Sequence, residues 1–122
     1  MSKTILVVDD SSSLRTAVRI ALSGAGFDVI EAEDGKQALT KLDGRKYHLV
    51  ISDVNMPNLD GFGFVTAMKQ MPAYKYTPVV MLTTEAGDDK KEKGKAAGAK
   101  AWIVKPFLPP QLLSVVSKLV MP

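Results

Sequence analysis

No cysteine occurs in the 122 residues, and histidine and tryptophan occur once each, as His48 and Trp102. Without thiols the chain has no disulfide framework, thiolate zinc site or cysteine nucleophile. A lone histidine excludes histidine-rich metal centres and argues against the usual Ser-His-Asp geometry. Nine Gly and seven Pro are too few for a disordered or fibrous chain. Long hydrophobic runs are absent too. Four apolar residues, Ile5-Leu6-Val7-Val8, follow the start, far short of a signal peptide or membrane span. No cysteine or targeting tail marks the other end for lipidation. The expectation is a soluble cytoplasmic protein without membrane insertion.

What is present suits one ordinary domain over 1–122, with 46% hydrophobic and 24% charged residues and length enough to bury a core. The net charge of +3 is unevenly placed. Residues 1–60 hold 7 Lys and Arg against 9 Asp and Glu; residues 61–122 hold 9 against 4. Much of the excess falls in Asp88-Asp89-Lys90-Lys91-Glu92-Lys93-Gly94-Lys95, whose mixed signs suit a solvated helix face. An acidic protein is the expected partner of such a face, ahead of nucleic acid.

Five short, β-branched-rich apolar runs begin at Ile5, Val29, Leu49, Val79 and Trp102. Each is continuous rather than alternating, as in strands covered on both faces. Helical stripes fall between and after them: Leu14, Ala17, Val18, Ala21 and Leu22, then Leu112, Leu113, Val116, Leu119 and Val120. Boundary residues agree. Ser11 to Ser13 offer an N-cap, Gly24 and Gly26 a stop, Asp60 a further cap, and Pro109 and Pro110 a first turn. A fourth helix near 88–97, lysine-rich and interrupted by Gly94, should be marginal. Alternating strands and helices with right-handed crossovers give a parallel sheet with helices on both faces, an α/β sandwich.

In such sheets, sites form beyond the C-terminal ends of the strands. Asp9-Asp10 follow the first strand, Asp53 ends the third, Thr83-Thr84 the fourth and Lys105-Pro106 the fifth. Glu31, Glu33 and Asp34 after the second read as solvated charges. Three carboxylates on one rim repel by roughly 4 kcal/mol per pair at 4 Å and an effective dielectric near 20. They must protonate, recruit Lys105, or bind a divalent cation. Mg²⁺ fits best, since one or two carboxylates, waters and a phosphate oxygen complete its octahedron. His48, before the third strand and far from this rim, is expected to be a solvated loop residue.

These residues resemble the receiver domains of bacterial two-component response regulators, and among them the single-domain chemotaxis regulators of CheY type. The pieces that match are Val7-Val8-Asp9-Asp10, Ile51-Ser52-Asp53-Val54-Asn55-Met56-Pro57 with Asp60-Gly61, Met81-Leu82-Thr83, Ala97-Gly98-Ala99 and Lys105-Pro106-Phe107. The resemblance implies a flavodoxin-like three-layer sandwich with strand order 2-1-3-4-5 and a cis Lys105–Pro106 bond. It implies that Asp53 accepts a phosphoryl group from a sensor histidine kinase. Asp10, Asp53 and the Asn55 carbonyl would ligate Mg²⁺, with Asp9 acting through a coordinated water. Lys105 and the Thr83 hydroxyl would hold phosphoryl oxygens, and Thr83 and Trp102 would switch the face made by the fourth helix, fifth strand and fifth helix. Asn55 and Glu85 would modulate dephosphorylation, alone or with an auxiliary phosphatase. Trp102 departs from the commoner Tyr or Phe, and a larger ring needs a larger pocket. The expected target is an acidic protein such as a flagellar motor switch, reached by a monomer with no output domain and no nucleic-acid contact.

Other readings use the same residues. A phosphorelay intermediate or a phosphate sink would look nearly the same. An aspartate-based phosphatase needs a general acid two residues after its nucleophile, and Asn55 cannot serve. The expectation is therefore no enzyme beyond catalysis of its own phosphorylation and dephosphorylation. A flavodoxin-like carrier would need a phosphate-cradling loop after the first strand, where Asp9-Asp10 has the wrong charge.

Overall fold

The computed structural model describes residues 3–56, 58–83, 92 and 95–120. Five parallel strands, β1 (Thr4–Val8), β2 (Asp28–Ala32), β3 (Leu49–Asp53), β4 (Val79–Thr83) and β5 (Ala101–Val104), form one sheet in the order β2-β1-β3-β4-β5. This is the expected order.

Strand periodicity builds the layers. Ile5 and Val7 point to one face of the sheet, Leu6 and Val8 to the other, because successive side chains alternate. The first face, with Ile51, Val80 and Leu82, packs on Val18 and Leu22 of α1 (Ser12–Gly24) and on Leu112 and Val116 of the C-terminal helix (Pro109–Leu119). The second, with Val50 and Met81, packs on Ala38 of α2 (Gly35–Lys41) and on Phe64, Val65 and Met68 of α3 (Gly61–Lys69). All four apolar residues of β1 and of β4 are fully buried, which explains their unbroken apolar runs.

The helix starts follow local chemistry. Ser11 Oγ accepts from the Leu14 N–H, and Asp60 Oδ1 from the Gly63 N–H. α1 ends at Gly24, and Gly26 turns the chain at φ 95°. Pro109 and Pro110 occupy the first turn of the C-terminal helix. The buried stripe of α1 is narrower than expected, since Ala17 is exposed. Of the expected helix at 88–97, Glu92 and Lys95 to Ala97 are helical, and the rest lies outside the described residues. Among the described residues no helix is long and apolar enough to cross a membrane.

Two expectations need correction. Asp34 is not a solvated charge: it is buried, caps α2 by accepting from the Gln37 N–H, and accepts from Asn58 Nδ2 at 2.8 Å. Those hydrogen bonds hold its carboxyl below the ordinary value. Glu31 is likewise engaged, paired with Arg15 at 3.4 Å and Arg19 at 3.2 Å.

His48 is the second correction. It is half-buried, and its Nδ1 accepts from the Thr4 N–H at 3.1 Å while its backbone N–H donates to the Thr4 carbonyl. The ring thus extends the β1–β3 pairing by one bond below the sheet. Burial, then the charges of Lys46 and Lys3, hold its pKa below the ordinary 6.5. The fold therefore favours the neutral ring. Its contribution to stability is complete above the ordinary value and declines as pH falls through it toward the lowered one. Urea midpoints at about pH 7.5 and about pH 5.5, either side of the ordinary histidine pKa, should fall further for wild type than for His48→Gln. Equal falls would contradict this account.

Candidate functional site

The site grows from the ends of β1, β3, β4 and β5. Because β1 and β3 are hydrogen-bonded neighbours, Asp9, just past β1, stands beside Asp53, the last residue of β3. β4 flanks β3 on the other side: Asp53 is in register with Leu82, which places Thr83 one residue beyond. Lys105 follows β5 and donates its backbone N–H to the Thr83 carbonyl. The Lys105–Pro106 bond is cis, as the resemblance implied.

Asp9 is held at each of its polar groups. Its N–H donates to the Ala32 carbonyl at 3.1 Å, and its own carbonyl accepts from Arg15 Nη1 at 2.5 Å. Oδ1 accepts from the Ser11 N–H at 2.8 Å, the short-range turn that aspartate favours before a helix. Oδ2 accepts from Lys105 Nζ at 2.9 Å. The same ammonium lies 3.2 Å from Asp53 Oδ1, so it bridges the two buried carboxylates. Asp10 is exposed, and its carboxylate completes the group: one oxygen from each of Asp9, Asp10 and Asp53 lies within 4.8 Å of the others.

Electrostatics then decides what the rim can hold. Burial pushes the Asp53 carboxyl above its ordinary value and the Asp9 charge adds to this, while Lys105 opposes both. Burial also disfavours the charged form of Lys105, but its bonds to Asp9 and Asp53 outweigh that and keep it protonated. Three carboxylates against one ammonium leave two negative charges, the charge of one divalent cation. The donor chemistry fits as well: all three are hard oxygens, which Mg²⁺ selects. On a Mg²⁺ octahedron opposite oxygens are about 4.2 Å apart and adjacent ones about 3 Å, so oxygens within 4.8 Å of one another can share one ion, some directly and some through a coordinated water.

Close packing fixes Asp53 from behind. A Cβ at Gly61 would lie 2.2 Å from the Asp53 carbonyl oxygen and 2.9 Å from Val54 Cα. The Gly61 N–H donates to the Val54 carbonyl at 2.8 Å. Glycine is what lets the first turn of α3 press against the end of β3.

The other candidates are placed as follows. Thr83 is fully buried at the end of β4, and Asn55 is exposed two residues past Asp53. Trp102, on the edge strand β5, is half-buried and stacked on Phe62, ring centroids 6.5 Å apart and planes at 22°. Its Nε1 is buried without a hydrogen-bond partner among the described residues. Trp102 also lines a cavity of about 330 Å³ with Lys95, Ala99, Lys100 and Ala101. Glu85 and Thr84 lie outside the described residues.

Arg15 was not anticipated from the sequence. Its guanidinium ties the Asp9 carbonyl to Glu31 on β2 and so steadies the turn that carries Asp9 and Asp10. The signal was available. With Ser11 as N-cap, Arg15 stands one turn into α1, on the side that returns over the cap.

Comparison with known proteins finds relatives of the same fold. Residues 5–117 match the response regulator receiver domain family. The chemotaxis protein CheY1 of Helicobacter pylori is 40% identical over 107 residues, 86% of this chain and 86% of its own length. Protein PilG of Pseudomonas aeruginosa is 36% identical over 112 residues, 92% of this chain and 83% of its own. Among solved structures, the chemotaxis protein CheY4 of Vibrio cholerae superposes with a TM-score of 0.94 at 45% identity, covering 98% of this chain and 99% of that one.

Proposed function

The chain belongs to the response regulator receiver domain family, and from that premise we propose that it is a phosphorylation-activated switch of chemotaxis or motility. It acts in the cytoplasm, takes a phosphoryl group onto Asp53 from a sensor histidine kinase, and in the phosphorylated state engages an acidic target such as a flagellar motor switch protein. The observation that carries this reading is the pairing of Asp53 with Lys105 inside a carboxylate group left two charges negative.

The chemistry follows from where each group sits. An Asp53 carboxylate oxygen attacks the phosphorus of a phosphohistidine in line. The P–N bond breaks, its electron pair returns to the imidazole, which takes up a proton, and an aspartyl phosphate remains. Lys105, already between Asp9 and Asp53, neutralises charge on the transferred oxygens. Asp10, Asp53 and the Asn55 carbonyl would hold Mg²⁺. Asp9 would reach it through water, consistent with an Asp9 carboxylate whose oxygens already accept from Ser11 and Lys105. Bound there, Mg²⁺ would shield the carboxylates from one another and from the incoming phosphoryl group. The Thr83 hydroxyl would receive a phosphoryl oxygen, and Asn55 and Glu85 would tune how long the acyl phosphate survives. Turnover stays with the protein's own phosphoryl group, since Asn55 stands where a phosphatase needs an acid.

The output rests on a shift between two states that the phosphoryl group biases. Trp102 is well placed to report it, half-buried against Phe62 and flanked by Lys95 and Lys100, whose charge suits an acidic target. As the chain's one tryptophan, it gives an unambiguous signal. Adding Mg²⁺ with beryllofluoride, a phosphate mimic, should change its fluorescence. A subsequent titration with a flagellar motor switch protein should then show tighter binding than without the mimic. An unchanged spectrum would refute a moving Trp102. Binding indifferent to the mimic would refute the motor target and favour a phosphorelay intermediate or phosphate sink.

A further inference from the structure

At the other pole of the sheet, the N-terminal ends of β1, β3 and β4 surround a cavity of about 350 Å³. Five residues of β1 separate it from the acidic rim, about 17 Å of extended chain. The lining is chemically one-sided. Lys3, Lys46 and His48 bring cationic or donor groups, Pro72, Pro78 and Leu119 an apolar wall, and among the described residues no lining residue is acidic. Nearby Asp43 does not fill the gap, because its carboxylate is committed to Arg45 through two 3.0 Å bonds.

We propose that this cavity is a binding site for small organic phosphates, the phosphate held by Lys46, Lys3 and His48 and the organic body laid on the proline and tyrosine wall.

Three features support it. His48 uses Nδ1 to accept from Thr4, which puts the ring proton on Nε2 and makes that nitrogen a donor. Among the described residues the charges that act on the imidazole are those of Lys46 and Lys3, both positive, which favours an anion beside the ring. Tyr76, at 85% exposure, offers an aromatic face at the cavity edge, with Lys75 Nζ 5.5 Å from its ring centroid. Open aromatic surface beside clustered cations suits an amphiphilic anion better than water alone. The site is separate from Asp53 and stands or falls without it.

His48 is the chain's one histidine, so its ring resonances report on this cavity without overlap. Phenyl phosphate, inorganic phosphate and benzyl alcohol would be titrated into metal-free protein at constant ionic strength. Phenyl phosphate should give a saturable shift at His48 and bind more tightly than either fragment. Lys46→Gln, at an exposed position that the fold tolerates, should weaken it about tenfold, the effect of losing one charge-assisted hydrogen bond. Asp53→Asn should leave it unchanged. The proposal is overturned by a linear, unsaturable shift, by equal affinity in Lys46→Gln, by fragments that match phenyl phosphate, or by loss of the shift in Asp53→Asn.

Discussion

Incubated with Mg²⁺ and a small phosphodonor such as acetyl phosphate, the wild-type chain should gain one phosphoryl group by intact mass, and Asp53→Asn should gain none. The amide has no anionic oxygen to attack phosphorus, so the yield should drop on the order of a hundredfold or more. The substitution is isosteric and lies at the end of a strand whose apolar residues are fully buried, so the fold should persist. A folded variant without the adduct would place the acyl phosphate on Asp53. An adduct retained in full by Asp53→Asn would move the chemistry to another residue. Omitting Mg²⁺ should suppress the wild-type adduct, since two uncompensated negative charges would then face an anionic donor.

Among the described glycines, Gly61→Ala should be the most damaging substitution. The new Cβ would meet the Asp53 carbonyl at 2.2 Å and Val54 Cα at 2.9 Å, both main-chain atoms that cannot swing aside. Either α3 lifts from the sheet or the end of β3 shifts, at a cost of roughly 3 kcal/mol. For a domain of this size that lowers Tm by about 10–15 °C. Phosphorylation should suffer beyond the loss of folded protein, because the displaced backbone carries Asp53. Gly24→Ala is the control. Nothing lies within 4 Å of its would-be Cβ, and alanine is the better helix former, so Tm should hold or rise slightly. Similar Tm values for the two variants would show that Gly61 is not a packing requirement.

The rim was legible in the sequence because strand ends in a parallel sheet converge, and each strand was marked by its own apolar run. Asp9, Asp10, Asp53, Thr83 and Lys105 could therefore be assigned to one edge before any coordinates. Pairings made across the chain were harder to see. Arg15 acts on a backbone carbonyl, and Glu31 joins it from a neighbouring strand; neither contact leaves a local pattern. Asp34 looked like one acid among several, yet it caps a helix and is tied to Asn58, 24 residues away. His48 was misjudged as solvated because its partner, Thr4, is 44 residues away in sequence. The need for glycine at 61 arises only when α3 meets the end of β3, a distance no single segment encodes.

The central claim is that carboxylates from separate loops are held close enough to need a dication. Titration calorimetry with Mg²⁺ tests it most directly. The account predicts uptake of one Mg²⁺ per chain, strongly weakened in Asp10→Asn and in Asp53→Asn. Wild-type protein that releases no binding heat, or binds equally well in all three forms, would contradict it.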